Sequence, residues 1–88
     1  MTHRINLSAG WAFDGTRWVR RFGRPTGIDG ATLRLVADFP AEAVLNGELL
    51  GDAWPLDVTG KLLLRNELAL ACGAVGAVAL EIEHADDV

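Results

Sequence analysis

A single cysteine, Cys72, excludes any internal disulfide from this chain. The two histidines, His3 and His84, lie in the terminal stretches, so no zinc spacing and no Cys–His catalytic pair can be read. No apolar run approaches the ~20 residues needed to cross a membrane. The start, MTHRINLS, has neither an apolar h-region nor a cleavage site. The default expectation is a soluble, cytoplasmic protein, although a domain cut from a larger secreted enzyme would look the same. A phosphate-cradling loop is also missing: GELLG at 47–51 is the return of a hairpin, not a GxGxxG that opens a helix. Asp86-Asp87 is a carboxylate pair in a polar tail, 84–88, with no scaffold to fix its separation across a cleft, which glycoside hydrolysis requires. The reading is therefore no enzyme, no cofactor and no metal.

What is present points to one small folded domain. Eighty-eight residues leave no room for a second core, and half of them are apolar against 23% charged, which argues against disorder. A chain this short buries only about 60% of its unfolded surface, so most apolar residues must be enclosed. Three prolines and ten glycines spread along it favour many short strands over long helices. The formal charge of −4 argues against nucleic acid as a partner. Basic residues nevertheless gather early: six Arg against two Asp in 1–36, then two basic and ten acidic residues in 37–88. Cross-strand pairing of opposite charges inside one domain accounts for this, as would two faces of opposite sign.

Alternation and turn signals divide the chain into about eight strands. RINL at 4–7 makes a first one, and Trp11 and Phe13 share a face ahead of the Asp14-Gly15 turn. In RWVRRF, 17–22, Trp18, Arg20 and Phe22 point one way, Val19 and Arg21 the other. Pro25 closes that strand. In 31–39, Leu33, Leu35, Ala37 and Phe39 face inward. EAVL at 42–45 runs into Asn46-Gly47, the strongest hairpin signal here, and ELL at 48–50 returns. Asp57-Val58 is a brief strand, and Thr59 offers an N-cap for a short turn to Leu64. KLLLRNELALA, 61–71, fits helix and strand about equally by periodicity; strand is preferred from Asn66 to Cys72, which makes Cys72 a buried small hydrophobe. Val78, Leu80 and Ile82 form the inward face of a last strand, 77–83. The fold class expected is all-β, a small antiparallel β-sandwich in one domain spanning 1–88.

The order of these pieces carries a resemblance. Leu45-Asn46-Gly47, Leu50-Gly51, Trp54-Pro55, Asp57-Val58-Thr59, Leu62-Leu63 and Asn66-Glu67-Leu68 follow one another as they do in a known family. Trp18-x-Arg20-x-Phe22-x-x-Pro25 precedes them and Gly76 to Ile82 closes them. The set, over 11–83, resembles the galactose-binding-like jelly-roll domain, the sugar-binding domain of family 2 glycoside hydrolases, in a truncated, minimal version. The resemblance implies a jelly-roll sandwich and a carbohydrate-binding accessory role. Two departures limit it. The sugar-contacting loop before the aromatic-Arg strand is at most 1–10 here, and the insertion before the closing strand has shrunk to Gly73-Ala74-Val75-Gly76. The barrel that holds the hydrolases' catalytic groups is absent.

The residues singled out for a ligand are Trp54, Asp52, Asn46 and Trp11. Trp54, on a loop near Asp52 and Asp57, can stack on a pyranose face while the carboxylates accept its hydroxyl protons. The other reading has Trp54 folded over the sandwich end as a plug, and Trp11 as core beside Phe13. Arg20, between Trp18 and Phe22, needs an acceptor; Asp57 is the expected partner and Asp38 the second choice. Arg17, Arg21 and Arg24 make an exposed basic stripe. The expectation is a non-catalytic carbohydrate-binding-like module, with a structural or protein-interaction domain as the alternative. The partners it admits are a carbohydrate, a protein or a second copy; nucleic acid and membrane are excluded.

Overall fold

The computed structural model describes residues 2–84 and is an all-β sandwich. Its strands are β1 (Thr2–Asn6), β2 (Ala12–Phe13), β3 (Trp18–Gly23), β4 (Thr32–Ala37), β5 (Glu42–Leu45), β6 (Glu48–Gly51), β7 (Leu56–Asp57), β8 (Arg65–Ala71) and β9 (Val78–Glu83). They form a four-stranded sheet in the order β1-β9-β4-β7 and a five-stranded sheet in the order β2-β3-β8-β5-β6. Every pairing is antiparallel. The pairs β1·β9, β3·β8, β4·β7 and β5·β6 are nested one inside the next, so the chain is a single long hairpin wrapped on itself, the connectivity of a jelly roll. The tail expected at 84–88 lies, beyond His84, outside the described residues. No helix among them is long and apolar enough to cross a membrane.

The alternation read from the sequence sets which residues face inward. Ile5, Leu80, Leu35 and Leu56 form one row across the four-stranded sheet. Leu68 and Leu70 on β8 lie opposite Leu45 and Ala43 on β5. Apart from Ile5, which stays 37% exposed at the sheet edge, these rows meet in the core together with Leu33, Val58, Val78 and Ile82, all nearly sealed from solvent. At the innermost hairpin Asn46 and Gly47 both take positive φ, 51° and 84°, as a type I′ turn demands. Asp14 builds the earlier turn differently: its carboxylate accepts the amides of Thr16 and Arg17, and these two bonds hold its pKa below the ordinary carboxylate value.

Residues 61–71 resolve into a turn followed by strand β8. Thr59 does not cap that turn. Its amide is instead held by the Asp57 carboxylate at 2.8 Å, while its hydroxyl accepts the Leu33 amide at 2.9 Å and reaches back to the Leu33 carbonyl at 3.4 Å. With Val58 N donating to the same carbonyl, the hydroxyl adds a rung to the short β4·β7 ladder. Thr59→Val keeps the shape but leaves the amide of buried Leu33 unpaired. We expect a loss of about 1–2 kcal/mol in chemical denaturation; an unchanged midpoint would remove this role.

Charge asymmetry between the two parts of the chain is largely resolved within the fold. Early arginines meet late carboxylates in Arg4–Glu81, Arg34–Glu83 at 2.7 Å and Arg21–Glu67 at 3.4 Å. On the outer face of the four-stranded sheet Arg4, Glu81, Arg34 and Asp57 stand in one row of alternating sign. That face is a solvated one.

Candidate functional site

The four residues proposed for a sugar do not converge. Trp54 packs against the core and its indole N–H donates to the Ala41 carbonyl at 2.9 Å. Trp11 does the same with the Leu7 carbonyl at 2.6 Å. Both rings thus use their polar atom on main chain and lie half-buried, as plugs at loop–sheet junctions. Asp52 is exposed and adjoins Trp54 through the bond from Trp54 N to its carbonyl. Asn46 lies at the other end of β5 from Ala41, a strand length of about 13–17 Å away.

Asn46 belongs to a structural amide cluster. Its side-chain oxygen accepts the Glu67 amide at 2.8 Å and its NH₂ donates to the Asn66 carboxamide oxygen at 2.9 Å. Asn66, the one buried polar residue among those described, also accepts the Leu63 amide at 2.8 Å and donates to the carbonyls of Leu63 and Phe22. The two amides lock the β5–β6 turn and the entry to β8 against β3. They border a shallow groove of about 590 Å³ with Arg21, Arg65 and Glu67, in which neither Trp54 nor Trp11 takes part. A second groove, about 510 Å³, runs past Arg4, Ser8 and Asp38. There Ser8 is bonded to Val78 and Asp38 to the Ala77 amide, so the groove's polar side chains already have partners.

Arg20 corrects a further expectation. Among the described residues no carboxylate meets it; its Nε donates to the Ala9 carbonyl at 2.6 Å and a terminal nitrogen to the Arg21 carbonyl at 3.1 Å. Asp57 is engaged by Thr59, whose amide and hydroxyl lower its pKa ahead of the smaller effects of Arg34 and Lys61. Cys72 is half-buried rather than sealed, and burial raises its thiol pKa, the reverse of what activates a nucleophile. The downstream insertion is closed: a Cβ on Gly76 would stand 3.0 Å from the Phe39 ring, so that turn lies flat against the sandwich.

The feature that sequence reasoning missed is on the outer face of the five-stranded sheet. Ala12, Val19, Ala69, Val44 and Leu49 occupy one register row that crosses all five strands. Val19 and Val44 are half-buried by their neighbours, Ala69 is nearly covered between them, and Leu49 remains 61% exposed. Its signal was present in Ala43-Val44-Leu45 and Leu68-Ala69-Leu70-Ala71, where the outward phase is as apolar as the inward one. A solvated face would alternate with polar residues, as the four-stranded sheet does. Comparison of the chain with protein-family models, with curated proteins and with solved structures found no match.

Proposed function

We propose that this chain is a non-catalytic protein-interaction module whose working surface is the outer face of the five-stranded sheet. The carrying observation is the apolar row Ala12-Val19-Ala69-Val44-Leu49, over which no further layer of the described fold packs and whose ends, Ala12 and Leu49, are exposed. Carbohydrate binding is the competing reading, favoured by a half-buried Trp54 beside an exposed Asp52. It has against it that both indoles are committed to main-chain carbonyls.

The readings separate in two measurements. If the row serves a partner and not the fold, Leu49→Lys leaves folding stability within about 0.5 kcal/mol of the parent chain. Intrinsic Trp fluorescence titrated with mono- and oligosaccharides stays flat. A loss above about 1.5 kcal/mol in the variant would return the row to the fold. A saturable fluorescence response that Trp54→Ala abolishes would establish the sugar site instead.

A further inference from the structure

We infer that the occupant of this face is a second copy of the chain, docked about a two-fold axis that runs along β8; the inference rests on the interaction-module reading. The argument is the symmetry of the residues about that strand. β3 and β5 flank β8 and both pair antiparallel to it, so they run parallel to each other. Rotation about β8 therefore lays β3 of one copy over β5 of the other at the same level, and β2 over β6. Along the row, Val19 meets Val44, Ala12 meets Leu49, and Ala69 meets Ala69, whose small side chain lets the sheets approach.

The flanking charges obey the same rotation. Glu42 is paired in register with Ala71 of β8. The bond from Asp14 N to the Arg17 carbonyl at 2.9 Å continues the β2·β3 register by one residue beyond Phe13 and Trp18. That step puts Arg17 level with Ala71, on the same side of the sheet as Val19. Among the described residues neither Arg17 nor Glu42 has an ion-pair partner within 4 Å, and Arg17 feels the charge of Asp14 in its own turn. The rotation places each over the other's position in the second copy, two complementary contacts from one self-complementary patch, as an isologous interface requires. Toward the other end of β8 the rotation sets Glu67 and Arg65 against their own counterparts, where Arg21 already holds Glu67 at 3.4 Å. Five strands about 4.8 Å apart give a face about 20 Å wide, which buries on the order of 800 Å² over both copies. An interface of this size lies at the weak, transient end of the range, so association is sought up to about 1 mM.

Sedimentation equilibrium on the full chain from 10 µM to about 1 mM tests this, using Arg17→Glu and Glu42→Arg. Alone, each variant sets like charges opposite each other twice and weakens association at least about tenfold. Mixed in equal amounts, the two restore it as a heterodimer, because the carboxylates of one copy then face the guanidinium groups of the other. Leu49→Lys, at an exposed position, abolishes the dimer while the far-ultraviolet spectrum stays that of a sheet protein. A parent chain that remains monomeric at about 1 mM overturns the second copy as occupant. It leaves the interaction-module reading to the Leu49→Lys stability and the saccharide titration. A dimer that persists in all three variants, or singles that weaken without rescue on mixing, also overturns the proposal and assigns association to another surface, such as the open edge of β1.

Discussion

Leu80→Ala is expected to cost about 2–5 kcal/mol, as befits a leucine sealed in the sandwich interior. Leu80 has no exposed surface and stands in the inner row between Ile5 and Leu35, facing the second sheet. Removing it loses the transfer free energy of the deleted methyl and methylene groups. It also leaves a void that two rigid sheets cannot collapse to fill. A domain of 88 residues has about 4–13 kcal/mol of total stability, so the variant sits near the edge of folding. Urea denaturation should show a lowered midpoint with little change in slope. Leu64→Ala is the control, since Leu64 is 81% exposed and its loss should stay within about 0.5 kcal/mol. Equal effects at the two positions would mean that the sandwich interior is not where these strands place it.

The second large effect is expected at Asn66, where replacement by Ala should cost about 2–4 kcal/mol. Its carboxamide makes four hydrogen bonds, two accepted and two donated, while the residue is only 2% exposed. Truncation strands the Leu63 amide and carbonyl and unties Asn46, and buried groups that lose a partner forfeit their full desolvation cost. Asn66→Asp discriminates a bonding role from a packing role. It keeps the size and the acceptors but removes both donations, so it should be destabilised most of the way to the Ala variant above pH 5. If Asn66→Ala loses less than about 1 kcal/mol, the amide cluster does not hold β5, β8 and β3 together.

The strands were legible where local chemistry dictates them. Asn46-Gly47 could only be a tight hairpin, and the alternation through Leu33, Leu35 and Ala37 and through Val78, Leu80 and Ile82 assigned the inward faces. The stretch 61–71 stayed ambiguous because its apolar spacing suits two periods. Only distant pairing, Leu68 with Leu45 and Arg20, decides for a strand. The acceptors of Arg20 were illegible for another reason: they are main-chain carbonyls, and a carbonyl has no residue type to read. Asn66 stood out in the sequence only as part of an ordered pattern, and its four bonds come from segments 3 to 44 positions away. The ligand residues illustrate the same limit. An indole beside carboxylates suggests a sugar platform, but whether its N–H points outward or into a neighbouring loop depends on where that loop lies.

The nesting of the strands has a consequence for how such a unit can be carried. Thr2 and Glu83 face each other across one rung of the β1·β9 ladder, so the polypeptide comes in and goes out at the same corner. A host loop need open by little more than the gap between two adjacent strands to receive the whole sandwich, which makes it an insertable cassette. Joined across that corner and cut elsewhere, for instance in the Gly73–Gly76 turn, the same layers would assemble from a permuted order.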